Sequence, residues 1–242
     1  VKEQLSVCQH TSNLYYSAPC VTLAKMLCEK TGAKKVFFSN SGAESNECAI
    51  KVARKYAENK GVKDGVILTL NQSFHGRTLT TLAATGQDVF HNDFLPLTGG
   101  FVHANPNDIA DLEKKVKENN VIAIMFEVVQ GEGGVVALTQ DFVAKISEIC
   151  KTQDILMIVD EVQTGNGRTG KLYGYMNYGL TPDIVSTAKG LAGGLPIGAT
   201  LMFEKCEDVL TPSSHGSTFG GNPVSCAAAV NIISRIDDEL LS

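Results

Sequence analysis

Two charged side chains at the ends of apolar runs are the strongest candidates for chemistry. Asp160 directly follows the run 155–159, and Lys189 lies among small residues in the stretch 186–194 (STAKGLAGG). A carboxylate at the end of a buried strand is costly unless it is paired or hydrogen-bonded. A lysine among such small neighbours has room for a bulky group on its nitrogen, and partial burial would favour the free amine that Schiff-base chemistry needs. The ordinary alternatives are a loop acid or helix cap for Asp160 and a surface lysine for Lys189.

Two loops rich in small residues suit the binding of an anion. Residues 39–44 (SNSGAE) precede a predicted helix, whose N-terminal N–H groups carry roughly half a positive charge. Residues 215–221 (HGSTFGG) place hydroxyl groups among glycines, which suits a second set of phosphate contacts. Taken alone, the first loop is equally typical of a serine-capped turn, and the second predicts only a loop.

A third glycine-rich segment, residues 165–170 (GNGRTG), matches the pattern of dinucleotide-binding loops and nearly matches a P-loop. A P-loop needs Ser or Thr where this chain has Leu172. The residues that follow Gly170 are rich in glycine and aromatics, which disfavours the helix that a dinucleotide loop opens. A nucleotide-binding module that uses Gly165 to Gly170 is therefore retained only as an alternative function.

Alternating apolar runs and helical patterns must position these residues. The strands that we predict cover residues 35–38, 66–70, 121–126, 155–159, 184–186 and 197–203. Helices are predicted after residue 42, after Asn107 as N-cap, and around residues 142–150. This alternation is typical of an α/β fold with a mostly parallel central sheet flanked by helices. Ligands of such sheets bind beyond the carboxyl ends of the strands, where the candidate residues lie.

Composition and charge exclude several classes of protein. The 242 residues include 21 Lys and Arg against 26 Asp and Glu, so the net charge of −5 provides no general attraction for nucleic acid or an anionic membrane. The seven cysteines form no paired motif, so we expect no disulfide framework, no metal site and a reducing, cytoplasmic location. The sequence starts at Val1, so a targeting peptide would lie outside it, and the mitochondrial matrix is the alternative location in a eukaryote. No apolar run approaches the roughly 18 residues of a membrane span.

Six motifs, taken in order, carry a resemblance to a known family. They are residues 40–46 (NSGAESN), 73–78 (SFHGRT), 130–134 (QGEGG), 160–165 (DEVQTG), 187–191 (TAKGL) and 216–222 (GSTFGGN). In this order the chain resembles the class III, or ornithine-type, aminotransferases, which are pyridoxal 5'-phosphate (PLP) enzymes of fold type I. Within the class it is most similar to the acetylornithine aminotransferases, on residues 13–16 (NLYY) and 165–170.

The resemblance implies which residues hold the cofactor. Lys189 would bind the aldehyde of PLP and then move the proton, while Asp160 would face the pyridine nitrogen. Phe74 and Val162 would cover the two faces of the ring. The other cofactor contacts that the resemblance implies are Gln163 and Glu161 from the same motif as Asp160, Gly42 and Ala43 at the phosphate, and Thr218 from a neighbouring subunit. His75 and His215 are interpreted as hydrogen-bonding loop residues and not as acid–base groups.

The resemblance also implies substrates and an assembly. Arg77 would pair with the substrate α-carboxylate, Ser217 would touch the substrate, and Glu132 would help the site to switch between its two substrates. The implied reaction moves the terminal amino group of N2-acetyl-L-ornithine to 2-oxoglutarate and gives N-acetylglutamate 5-semialdehyde and L-glutamate. Ornithine and 4-aminobutyrate aminotransferases are the alternatives within the class. The implied partners are these small molecules and a second copy of the chain, in a homodimer with shared active sites.

Members of this family also carry an N-terminal segment and a C-terminal small domain. We therefore expect residues 1–242 to be the large, PLP-binding domain, with both other parts missing. The small domain would supply a second arginine for the substrate carboxylate. On that ground, the 242 residues alone are expected to bind the cofactor weakly or not to fold cleanly.

Overall fold

The computed structural model describes residues 1–12 and 14–242. In this part of the chain the helices are α1 Lys2–Val7, α2 Ala18–Thr31, α3 Gly42–Asn59, α4 Leu79–Ala84, α5 Ile109–Glu118, α6 Gln140–Gln153, α7 Pro223–Arg235 and α8 Asp238–Leu241. The strands are β1 Lys35–Ser39, β2 Val66–Leu70, β3 Phe101–Ala104, β4 Val121–Phe126, β5 Val129–Gln130, β6 Val136–Ala137, β7 Leu156–Asp160, β8 Ile184–Thr187 and β9 Gly198–Met202. Short 3-10 helices lie at Asp88–Phe90, Gly174–Tyr178, Lys189–Ala192 and Glu204–Cys206.

A central sheet carries the fold. Its strand order is β1-β9-β8-β7-β4-β2-β3, and β5 and β6 form a separate antiparallel ribbon. Strands β3, β2, β4, β7 and β8 run parallel to one another, whereas β9 is antiparallel to both β8 and β1. The predicted α/β class with a mostly parallel sheet is therefore confirmed, with β9 as the exception.

Two apolar clusters lie on opposite faces of this sheet. Because side chains alternate along a strand, Met157 and Val159 of β7 join one cluster, while Leu156 and Ile158 join the other. Helix α3 covers the second cluster, and α2, α5, α6 and α7 cover the first. The continuous apolar runs of the sequence are thus buried on both faces, as parallel strands between helices should be.

Some elements differ from the predictions. Helices α2 and α7 and strand β3 were not predicted. Asn107 does not cap α5, because it adopts a left-handed φ of 62° and its side chain accepts a hydrogen bond from Thr139 N at 2.7 Å. The N-cap is Asp108, whose carboxylate accepts from Asp111 N at 3.0 Å.

In residues 1–12 and 14–242, no helix is both long enough and apolar enough to cross a membrane. The seven cysteines are free thiols.

Candidate active site

The carboxyl ends of the parallel strands border a cavity of about 220 Å³. The sequence-predicted residues among its walls are Gly42, Ala43, Phe74, Arg77, Glu132, Asp160, Val162, Gln163 and Lys189. Asn46, His75, Gly76 and Glu127 complete the wall. The residues that followed separate apolar runs in the sequence are therefore brought together at one edge of the sheet.

Asp160 is the centre of a buried hydrogen-bond network. It is the last residue of β7, and its Oδ2 accepts from Asn46 Nδ2 at 2.7 Å and lies 2.8 Å from His75 Nδ1. Its Oδ1 accepts from the backbone N of Val162 at 3.0 Å. Burial alone would lower the pKa of His75, but the hydrogen bond and charge of Asp160, together with the charge of Glu127, raise it above its usual value. The carboxylate thus has the hydrogen-bond partners that a buried anion requires. His75 forms a hydrogen bond, as expected of it, and its partner is this carboxylate.

Lys189 stands at the end of the neighbouring strand. In the β7–β8 ladder, Asp160 is opposite Ser186, three residues before Lys189. Asn166 holds this segment by donating to Ala188 O at 3.0 Å, and Lys189 itself adopts a left-handed φ of 43°. Such a conformation is uncommon for a residue with a Cβ and occurs often at functional sites.

The amine of Lys189 donates a hydrogen bond to Gln163 Oε1. Lys189 is exposed and not partly buried, because its side chain borders the open cavity and not packed protein. This position leaves the amine accessible to a molecule in the cavity.

The N-terminus of α3 forms one end of the cavity. Ser41 caps the helix by accepting from Glu44 N at 3.2 Å, and Gly42 and Ala43 line the cavity wall. A Cβ on Gly42 would lie 2.6 Å from Cγ1 of Val162, a β-branched side chain that has little freedom to move away. Glycine is therefore required at this contact, and the helix end offers backbone N–H groups to an anion.

Glu127 is a cavity residue that the sequence analysis missed. It is only 4% exposed, and its Oε1 accepts from Phe74 N at 2.9 Å. Burial raises the pKa of Glu127 to about 7. The signal was present in the sequence, because Glu127 directly follows the apolar run of β4 just as Asp160 ends that of β7.

Glu161, for which a contact with the cofactor is expected, does not line the cavity. Its buried carboxylate accepts from Thr164 Oγ1 at 2.6 Å, Gly174 N at 2.8 Å and Tyr175 N at 2.7 Å. Consecutive side chains at a strand end point to opposite sides, so the partner that travels with Asp160 in the motif faces away from the cavity. Burial raises the pKa of Glu161 to about 7 as well.

Ser217 and Thr218 line a separate depression next to Asn40 and Glu44. Asn40 Nδ2 donates to Ser217 Oγ at 3.1 Å. The two residues therefore do not join the cavity wall in a single copy of the chain. Asn13 lies outside the described residues, so the motif at residues 13–16 is only partly visible.

The glycine segment 165–170 does not open a helix. Gly167 and Gly170 have φ values of 91° and 79°, and turns continue to the 3-10 helix at Gly174–Tyr178. The nucleotide alternative lacks the helix N-terminus that would bind a pyrophosphate. Within residues 1–12 and 14–242, no group of three His, Cys, Asp or Glu side chains converges as a metal site would require.

The cavity fits PLP by the chemistry of its walls. An anion-binding helix end, an aromatic ring at Phe74, the hydrogen-bonded carboxylate of Asp160 and the accessible amine of Lys189 surround one space. Next to Asp160, the buried atoms Asn46 Oδ1 and His75 Nε2 have no hydrogen-bond partner among the described residues. The surroundings of the carboxylate therefore contain more polar atoms than its own hydrogen bonds use. A flat ring with a phosphate, a basic nitrogen and an aldehyde has a complementary group for each of these features.

Comparisons with known proteins identify the relatives of this chain. The family model for class-III aminotransferases matches residues 1–242. Acetylornithine aminotransferase of Haemophilus ducreyi is 52% identical over 240 residues, which cover 99% of this chain and 61% of that protein. Succinylornithine transaminase of Citrobacter koseri is 46% identical over 238 residues, which cover 98% of this chain and 58% of that protein. A solved ornithine aminotransferase from Toxoplasma gondii, with PLP partly occupying its active site, superposes with a TM-score of 0.94 at 35% identity, over 99% of this chain and 58% of that one.

Proposed function

This chain belongs to the class-III aminotransferases, and from that premise we propose that it moves the terminal amino group of N2-acetyl-L-ornithine to 2-oxoglutarate. The products are N-acetylglutamate 5-semialdehyde and L-glutamate. The observation that carries the proposal is the shared cavity of Lys189 and Asp160, which combines an accessible amine with a buried anion. The chain spans about 60% of the length of the relatives that it matches, and we propose that residues 1–242 form the large, cofactor-binding domain.

PLP is the cofactor for which these walls are suited. When bound, it supplies an aldehyde that captures amines and a ring that accepts electrons from the reacting carbon. Lys189 would hold it covalently, Asp160 would face its ring nitrogen, and Gly42 and Ala43 would donate to its phosphate. Phe74 and Val162 would cover the ring faces, and the Gln163 side chain, already bonded to the Lys189 amine, would orient that amine.

The residues of this chain then divide the chemical work. Lys189 Nζ, when its amine is free, would be a base positioned to take a proton from the substrate carbon and to give it back. The carboxylate of Asp160 is stabilised by Asn46 and His75. Its negative charge would keep the ring nitrogen of PLP protonated. Because the charge is already oriented and buried, it requires no reorganisation during the reaction.

Arg77 supports a substrate with an α-carboxylate, and Glu132 would help the site to switch between its two substrates. Both line the cavity, and the planar fork of Arg77 suits an α-carboxylate. This favours acetylornithine or ornithine over 4-aminobutyrate, which has no α-carboxylate. The succinylated donor named for the Citrobacter koseri relative carries the same α-carboxylate and is the nearest alternative.

The proposal includes a homodimer in which Thr218 contacts the phosphate in the neighbouring subunit. Thr218 lies outside the cavity of its own chain. Tyr15, Tyr16 and Phe219 are 72%, 96% and 59% exposed, and such a surface is suited to burial against another protein. The location, cytoplasm or mitochondrial matrix, stays a prediction.

Borohydride reduction followed by peptide mass mapping tests the assignment. The full-length protein that contains this chain is loaded with PLP, reduced and digested. We expect the pyridoxyl mass on Lys189, and its appearance on another lysine would contradict the proposal. Absorbance changes on adding acetylornithine, ornithine and 4-aminobutyrate separately then rank the amino donors, and acetylornithine is expected to react fastest.

A further inference from the structure

The guanidinium of Arg77 lies against two neighbouring aromatic rings, those of Phe90 and Phe74. Its Cζ lies 4.2 Å from the ring centroid of Phe90 and 5.4 Å from that of Phe74. The two rings meet edge to face, with their centroids 5.7 Å apart. Arg77 makes no ion pair with a carboxylate of the described residues. The ring of Phe90 is therefore the nearest support of the cation.

The position of Phe90 is itself anchored. Phe90 is half-buried and ends the 3-10 helix Asp88–Phe90, and the next residue, His91, places Nε2 2.7 Å from Thr85 O, at the end of α4. Just before this helix, Gly86 N donates to Ser73 Oγ at 3.1 Å, and Gln87 Nε2 donates to Ser73 O at 3.0 Å. The segment that carries Phe90 is thus tied to the loop that carries Phe74 and Arg77.

A ring above a guanidinium leaves the N–H groups of the fork free. Aromatic rings attract the face of the cation, whereas a carboxylate binds its edge through two parallel hydrogen bonds. Stacking therefore restricts the long, flexible Arg77 side chain without occupying the donors that a substrate would use. A side chain ordered in advance loses less entropy when the substrate binds.

We propose that Phe90 is a positioning residue, whose ring orients Arg77 for the α-carboxylate and so sets the preference of the site for amino donors that bear one. The inference rests on the proposed function and deepens it, because it assigns part of the substrate selectivity to a residue outside the cavity wall. Phe90 itself touches Arg77 and Phe74 and is not among the residues that line the cavity.

The experiment compares two amino donors that differ only in the carboxylate. They are N2-acetyl-L-ornithine and N-acetyl-1,4-diaminobutane, which is the same molecule without its α-carboxylate. In the PLP-loaded full-length enzyme, Phe90→Leu should lower kcat/KM for acetylornithine about tenfold, mainly through KM. The second donor should change by less than about twofold, and Phe90→Tyr, which keeps the ring, should retain kcat/KM for both donors within about twofold.

Two controls separate this role from a structural one. Val89→Ala removes an exposed side chain, 68% accessible, from the same 3-10 helix and should leave both donors unaffected. In an Arg77→Lys background, where the planar fork is lost, Phe90→Leu should have little further effect on acetylornithine, because the two residues act as a pair.

Equal losses with both donors, or no loss with acetylornithine, would overturn the role of Phe90 while leaving the proposed function intact. Failure of the unmutated, PLP-loaded enzyme to turn over either donor would instead overturn the proposed function and this inference with it. Retained PLP absorbance and an unchanged melting temperature in Phe90→Leu would exclude misfolding as the cause of a loss.

Discussion

Asp160 and Glu161 are consecutive residues, yet their carboxylates lie in two regions with different surroundings. Asp160 lies in the cavity wall, next to polar atoms that the protein leaves without partners. Glu161 lies under the turns at residues 161–175, where three donors from one short stretch of chain converge on it. One carboxylate faces the cavity, and the other holds the loop that follows.

The two regions differ in what remains unused. In the cavity, the buried atoms Asn46 Oδ1 and His75 Nε2 and the second oxygen of Glu127 have no hydrogen-bond partner among the described residues. In the turn, both oxygens of Glu161 are occupied by protein donors. Since buried polar groups are normally paired, an unpaired one in the wall of a cavity is available to a molecule bound there. This criterion separates residues that a shared motif places side by side.

The largest expected effect is a loss of kcat on substitution of Asp160 in the cavity. Asp160→Asn removes the negative charge, so kcat should fall about a hundredfold to a thousandfold, as when a preorganised electrostatic group is lost. The pKa of His75 should fall too, because the charge and hydrogen bond of Asp160 raise it. Steady-state kinetics and an NMR titration of His75 measure both effects in the PLP-loaded full-length enzyme.

The control for Asp160→Asn is Asp208→Asn, which removes a carboxylate that is paired with Lys35 on the surface. An exposed ion pair contributes little, so kcat should be unaffected. Retention of kcat by Asp160→Asn would remove Asp160 from the proposed chemistry.

The next largest effect concerns the stability that Glu161 gives to the turns at residues 161–175. Glu161→Gln replaces one accepting oxygen by an NH2 group, so one of the three donors on this side chain is left unpaired in a buried site. The free energy of unfolding should fall by about 1–3 kcal/mol. The kcat of the enzyme that remains folded and PLP-loaded should stay unchanged, in contrast to Asp160→Asn. Urea unfolding followed by circular dichroism measures the first quantity.

Glu118→Gln, at an exposed position near the end of α5, is the matched control for this measurement. Surface substitutions of this kind change stability by less than about 0.5 kcal/mol. A loss of kcat in Glu161→Gln as large as that in Asp160→Asn would erase the distinction between the two regions.

The sequence predicted much of the fold because its parallel strands are nearly continuous apolar runs. Residues 66–70 and 121–126 coincide with β2 and β4, since burial on both faces leaves no other pattern for them. The antiparallel direction of β9 was not predictable, because strand direction depends on pairing between distant segments and not on local pattern. The strand β3 was missed because its four residues are only partly apolar.

The candidate site shows the same division between local and distant information. Asp160 and Lys189 were found because each breaks a local rule for its residue type at a strand end. Glu161 lies outside the cavity wall although it belongs to the same motif as Asp160, because a motif does not tell which side of the chain a residue faces. The stacking of Phe90 on Arg77 joins two segments through tertiary contacts, and no spacing in the sequence reports it.

The smallest expected effect concerns Glu127, a buried glutamate of the cavity wall. Its pKa in the folded protein, about 7, lies above the value in the unfolded chain, so the fold favours the protonated form. Its stabilising contribution is therefore complete below the unfolded pKa and is lost as the pH rises through about 7. Glu127→Gln stays neutral and still accepts from Phe74 N, so its melting temperature relative to the wild type should rise from pH 5 to pH 8.

Melting temperatures of the full-length protein without PLP, measured across this pH range, test the expectation. Glu58→Gln, at an exposed position on α3, is the control and should follow the wild type at each pH. Glu127→Ala, which lacks the acceptor, should instead lose stability at every pH, because the Phe74 N–H is left unpaired. If Glu127→Gln runs parallel to the wild type throughout, Glu127 does not change its protonation between pH 5 and 8. The second oxygen of Glu127 would then serve only as a permanent acceptor or a permanent charge.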